Sequence, residues 1–175
     1  MVTITISGAP GSGTTTVAKI LRDKLKIKYV YAGEIFRKEA EKHGMSLQDF
    51  GKYCEEHPEI DKKLDELQKK ILKKGNVILE GRIAGWIAHR NNIPALKVLI
   101  EADEGTRVER IIKREGGDFE EKRREMLERE KSEARRYKNY YGIDVGDKSI
   151  YDLVIDSTNK TPEEVASIII SNVRK

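Results

Sequence analysis

The chain is short of the residues that staple, kink or span. It has one cysteine, Cys54, in 175 residues, so no internal disulfide can form and a reducing interior is expected. A lone thiol of this kind reads as a small buried hydrophobe and not as a nucleophile. The three histidines, His43, His57 and His89, have no metal-ligand spacing, and no Ser-His-Asp arrangement can be defended. Proline occurs four times, and no repeat, low-complexity tract or linker breaks the chain, which argues for one domain over residues 1–175. No apolar run approaches the roughly 20 residues of a membrane helix. The N-terminus lacks a basic segment followed by an apolar stretch, so no secretory leader and no membrane partner are expected, and the setting is expected to be cytoplasmic. Glutamine appears only at 48 and 68 while Lys, Arg and Glu abound, a composition that suits surface ion-pair networks.

What remains is a globular mixture of 38% hydrophobic and 37% charged residues with a formal charge of +4. A basic balance suits a phosphate-rich ligand, and it would equally suit RNA. The β-branched run 2–6 predicts a buried strand. Further strands are predicted over 29–31, 76–79, 96–100 and 152–155. Helices are predicted over 15–26, 34–42, from Ser46 to about His57, 59–74, 104–114, 118 to about 140, and from Thr161 to the C-terminus. Ser46 with Asp49 forms a variant capping pair, and Thr161-Pro162-Glu163-Glu164 is a strong helix start. In 59–74 the apolar residues Ile60, Leu64, Leu67, Ile71 and Leu72 recur at helical spacing. Strands alternating with helices imply an α/β fold, a parallel sheet covered by helices on both faces.

Between the first strand and the first helix lies Gly8-Ala9-Pro10-Gly11-Ser12-Gly13-Thr14-Thr15-Thr16. Gly8, Gly13 and Thr15 match the phosphate-loop pattern G-x-x-x-x-G-K-[ST], and Thr14 stands where that pattern has lysine. Glycines let successive N–H groups turn toward an anion, and the helix N-terminus adds its dipole. The Thr15 hydroxyl would coordinate Mg²⁺. A plain strand–turn–helix is the bland alternative, and the placement of the loop argues against it.

Phosphoryl transfer asks mainly for positioning and positive charge. Arg107, Arg110 and Arg114 share one helix face, with Val108, Ile111 and Ile112 expected to pack on the sheet. Arg129 and Arg136 share a face of the long helix with Glu133 between them. Such faces are often solvated ion-pair ladders, but beside a phosphate loop Arg110, Arg114, Arg129 and Arg136 read as phosphate clamps, with Arg107 balanced between the two readings. Glu80-Gly81-Arg82 closes a strand where ligands of open parallel sheets bind. Glu80 could hold Mg²⁺ through water, and Arg82 an acceptor phosphate. After the second strand, Gly33 would allow close approach and Arg37 lies one helical turn on. For Trp86, Phe36 and the tyrosines 137, 140 and 141, packing is the simpler expectation than stacking on a base.

Taken together these motifs resemble the short archaeal cytidylate kinases, within the nucleoside monophosphate kinase family of P-loop kinases. The resembling runs are residues 4–16, Ala32-Gly33-Glu34-Ile35-Phe36-Arg37, Leu79-Glu80-Gly81-Arg82 with Ala84-Gly85-Trp86, Arg129-Glu130 through Arg136-Tyr137, 140–144 and 150–155. The resemblance implies a five-stranded three-layer kinase fold, a monophosphate-binding segment at about 33–74 and a short lid at about 114–120. It implies that residues 8–16 bind ATP, that Arg110 and Arg114 reach its phosphates, and that Arg37 and Arg82 hold the CMP phosphate. Gly33 and Glu133 fall in the same acceptor site, and Arg129 and Arg136 would bridge donor and acceptor. The implied reaction is ATP with CMP or dCMP, with Mg²⁺ as cofactor, in a monomer with no stable nucleic-acid partner. AMP, UMP or shikimate are the alternative acceptors, and a non-catalytic ATP- or RNA-binding module is the alternative of another class.

Overall fold

The computed structural model describes residues 2–173. Five strands form one parallel sheet: β1 (Ile4–Gly8), β2 (Lys28–Tyr31), β3 (Val77–Glu80), β4 (Leu96–Glu101) and β5 (Leu153–Asp156), in the order β2-β3-β1-β4-β5. The register sets Ile6 against Glu80, Glu80 against Tyr31, Gly8 against Ile100 and Glu101 against Asp156. The strands therefore end together along one edge. The chain leaves β1 toward β2 on one side and leaves β3 toward β4 on the other. Such a reversal opens a crevice beyond the strand ends, here between the turns that follow β1 and β3.

Eight helices connect and cover the strands: α1 (Thr14–Leu25), α2 (Ala32–Lys42), α3 (Leu47–Glu56), α4 (Pro58–Lys74), α5 (Ala84–Arg90), α6 (Glu104–Glu115), α7 (Phe119–Tyr141) and α8 (Pro162–Asn172). Alternate strand residues point to opposite faces. Ile4, Ile6, Ile78, Val98, Ile100 and Ile155 meet α1 and α8 on one face. Val77 and Leu79 meet α4 and α5 on the other, together with Ile143 and Ile150. The helices on both faces that the alternating pattern implied are thus present.

Two smaller cores lie off the sheet. Ala40, Phe50 and Cys54 join α2, α3 and α4, with Phe36 and Ile60 packed beside them. Val108, Ile111 and Met126 join α6 to α7. The apolar face of α6, expected against the sheet, is therefore spent on α7, because the long helix crosses it and takes its place as the nearest apolar partner. Leu67 also departs from expectation at 42% exposed. The face that α4 buries carries Asp61, Gln68 and Leu72 instead.

The capping signals hold. The amide of Asp49 donates to Ser46 Oγ, and Thr161 and Glu164 form a reciprocal capping box. The last helix stops at Asn172 with Val173 extended, one residue inside the described range, short of the expected run to the C-terminus. Helix α5 had no counterpart in the sequence reading. Its five residues from Ala84 to Ala88 are all buried, so it shows no amphipathic period.

Candidate active site

The turn after β1 is built as a nest. Gly11 and Gly13 take φ of 78° and 91°, left-handed values that favour glycine. A Cβ on Gly11 would stand 2.4 Å from the carbonyl oxygen of Arg107. Ser12 folds the turn on itself, its Oγ donating to Ala9 O at 2.7 Å. Gly13 caps α1 without a side chain. The amides of the first helical turn are left open for an anion, where the helix dipole also favours one.

Glu80 ends β3 beside this nest and is 3% exposed. Its Oε1 accepts from Thr14 Oγ1 at 2.7 Å and from Thr15 Oγ1 at 2.8 Å, and its Oε2 accepts from the Tyr29 hydroxyl. Burial first, and the bond to Glu80 second, push the Tyr29 phenol well above its ordinary value. Thr14, at the position of the missing lysine, is thus a partner of Glu80 and offers no charge.

Arg82, two residues beyond β3, reaches two partners. Its Nε donates to Glu133 Oε2 and its Nη1 to the carbonyl of Gly8 in the nest. Glu133 also accepts from Arg129 Nε at 3.1 Å. Burial pushes the Glu133 carboxyl up, but Arg82 and Arg129 outweigh burial and hold it below the ordinary value. Glu133 therefore neutralises and aims two guanidinium groups. Arg136, 3% exposed, lies 2.9 Å from Asp61 through Nε, donates from Nη1 to Ser132 Oγ, and stands over the rings of Phe36 and Tyr137.

From α6, Arg110 Nη2 donates to Ser157 O at 2.8 Å, and Nη1 donates to Ser157 Oγ and Gly11 O. This seats its guanidinium over the nest. Arg114 is more open and pairs with its neighbour Glu115 at 2.7 Å. Arg107 spends its charge on Glu130 at 2.6 Å. Arg37, on α2, is exposed. At Gly33 the close approach is internal, since a Cβ there would strike the ring of Tyr31.

One cavity of about 520 Å³ runs along residues 8–17 and takes in Gly33, Arg37, Glu80, Arg82, Arg110, Arg114, Arg129, Glu133 and Arg136. Every residue singled out in the sequence for ATP, acceptor or metal lines it. Asp61, Asp65 and Gln68 of α4, Tyr31 and Ser157 line it too and went unnoticed in the sequence. The i, i+4, i+7 spacing of the α4 trio was the one available signal. Trp86 packs in the sheet core, and Tyr140 donates to the carbonyls of Cys54 and Glu55, as packing residues do.

A strand–nest–helix opposite a cluster of guanidinium groups suits phosphoryl transfer between two phosphate-bearing substrates. The sequence model of the cytidylate kinase-like family matches residues 3–159. The chain belongs to that family. Among its relatives, the cytidylate kinase of Methanocaldococcus jannaschii is 48% identical over 98% of this chain and 99% of its own length. That of Archaeoglobus fulgidus is 48% identical over 97% of this chain and 93% of its own. Among solved structures, shikimate kinase from Bacteroides thetaiotaomicron superposes with a TM-score of 0.62 at 14% identity, covering 97% of this chain and 96% of that one. This last likeness is one of fold and places this member of the cytidylate kinase-like family on the P-loop kinase scaffold.

Proposed function

We infer that the chain transfers the γ-phosphoryl group of ATP to CMP, giving ADP and CDP, with dCMP as a second acceptor. Relatives nearly half identical over the whole chain carry the cytidylate kinase name. The observation that carries the reading in the structure is the contact between Arg82 and the Gly8 carbonyl. It sets an acceptor-phosphate cation against the donor loop, so two phosphates bound to these groups meet in one cavity.

In this reading the amides of residues 8–16 cradle the ATP phosphates, and Arg110 and Arg114 cover them. Arg37 and Arg82 hold the CMP phosphate, with Gly33 and Glu133 completing that site. Arg129 and Arg136 lie between the two. The acceptor oxygen is already anionic, so no general base is needed. Thr15 Oγ1 and the Glu80 carboxylate offer the hard oxygen donors that Mg²⁺ prefers, with water and phosphate oxygens completing its shell. Mg²⁺ so held would neutralise charge on the phosphates. Residues 33–74 form the acceptor segment, and the turn at 114–120, where Gly116 and Gly117 both take positive φ, forms the lid. Closure of both would exclude water from the transfer. A single buried free thiol suits a reducing cytoplasmic setting for this activity, and a monomer is the state expected for it.

The test is a coupled ADP-release assay with Mg²⁺, ATP and a panel of acceptors. Turnover should be fastest on CMP and dCMP. Turnover on AMP but not CMP, or binding of ATP with no turnover on any acceptor, would reject the reading.

A further inference from the structure

Helix α4 carries polar side chains for which the reaction above finds no use. Asp61, Asp65 and Gln68 share one face and line the cavity wall. Gln68 is 6% exposed. Its Nε2 donates to Asp65 Oδ1 at 3.0 Å, and the Tyr141 hydroxyl donates to Asp65 Oδ2. Both oxygens of Asp65 are thus engaged. Whether Asp65 is ionised or carries its proton on Oδ2 toward Tyr141, its Oδ1 remains an acceptor, so flipping the Gln68 amide would set oxygen against oxygen there.

This relay leaves one atom over. Gln68 Oε1 is buried and has no donor among the described residues. Buried acceptors in folded proteins are nearly always satisfied, so one left open at a cavity wall points to a donor that arrives from outside. Its position identifies the ligand's end. A Cβ on Gly81 would come within 3.0 Å of Gln68 Oε1, so the oxygen stands next to the residue that precedes Arg82, at the acceptor side of the cavity.

We propose that Gln68, held in a single orientation by Asp65 and Tyr141, accepts a hydrogen bond from the exocyclic amine of the acceptor base. Cytosine presents its N4 amine as a donor, whereas uracil presents a carbonyl oxygen at the same place. With uracil, two acceptors would face each other in a buried site. The relay therefore selects CMP over UMP. Adenine also carries an exocyclic amine, so this contact separates CMP from UMP and not from AMP. The inference rests on the acceptor reading above and names the residues that give that reading its base preference.

The experiment measures kcat/KM for CMP and for UMP with the wild type, Gln68→Leu and Asp65→Asn, together with KM for ATP and a thermal melt. Gln68→Leu removes the acceptor, and kcat/KM for CMP should fall about 10- to 100-fold with UMP turnover and KM for ATP unmoved. Asp65→Asn keeps the shape but supplies an amide that can donate to Gln68 Oε1, so the CMP-to-UMP ratio should fall here too. This second variant decides the matter if Gln68→Leu does not fold. A ratio within about threefold of wild type in the folded variants, a difference too small for a lost buried hydrogen bond, overturns the proposal. So does an equal loss on both acceptors, which a merely structural role would give. Either result leaves CMP kinase activity standing. A wild type that phosphorylates AMP and not CMP overturns the acceptor reading, and this inference with it.

Discussion

Removing Arg82 tests whether one side chain serves both acceptor binding and folding. Its side chain is 17% exposed and its partner Glu133 is 12% exposed. Arg82→Ala deletes two charge-assisted contacts at once, to Glu133 and to the Gly8 carbonyl. Breaking a buried pair costs about 3–5 kcal/mol because a charge is left behind. Here Arg129 stays within 3.1 Å of Glu133, so the lower end, about 3 kcal/mol, is expected. For a chain of this length that lowers Tm by about 6–12 °C. Catalysis loses a donor aimed at transferring charge, worth about 10²- to 10³-fold in kcat/KM for CMP. Arg82→Lys keeps the charge and should recover much of the stability. One ammonium cannot reproduce the planar fork that spans Glu133 and Gly8, so kcat/KM stays at least about tenfold down. KM for ATP should hold in both variants. The assays are ADP release against varied CMP and differential scanning calorimetry. A folded Arg82→Ala enzyme within about fivefold of wild-type kcat/KM on CMP would show that Arg82 organises the loop without touching an acceptor.

Three further outcomes are expected. Arg114→Ala should cut kcat about 10³-fold if this open arginine supplies the cation that Thr14 does not, and a loss under about tenfold removes it from that role. Burial pushes the Asp65 carboxyl up to about 7, against about 3.9 in an unfolded chain. The folded state then holds a proton that the unfolded chain gives up, so this stabilisation is complete below about pH 4 and lost as pH rises through about 7. Urea midpoints of the wild type relative to Asp65→Asn should fall across that window, and parallel profiles would refute the assignment. Cys54 is fully buried and its thiol is pushed up to about 12 by burial. It should resist thiol reagents at neutral pH until denaturant is added, and rapid native labelling would contradict its burial.

The phosphate loop and the arginine faces were legible in the sequence because local geometry dictates them. A nest needs glycines at set offsets, and residues four or seven apart on a helix must share a face. The partners were not legible, because they are tertiary. Nothing local says that Thr14 donates to Glu80, 66 residues away, or that Glu133 lies between Arg82 and Arg129. The α4 row was hidden by the apolar period running through it: the pattern named Leu67 as buried when Gln68 is. Helix α5 was hidden because its first five residues are all buried, so that no polar face marked its turns.

If the segment over 33–74 closes, helix α4 would act as a lever. Ile60, near its start, packs with the small core of α2 and α3, while Leu72, near its end, is embedded beneath the sheet. Seventeen residues at 1.5 Å each make an arm about 25 Å long. With the Leu72 end as pivot, a tilt of about 10° swings the far end by about 4 Å, roughly the rise of three helical residues. The small core would ride on that arm as a single load and keep its own packing. Asp65 and Gln68 sit nearer the fulcrum, so the swing would bring the remote shoulder of the cleft inward while the part that faces the base moves least.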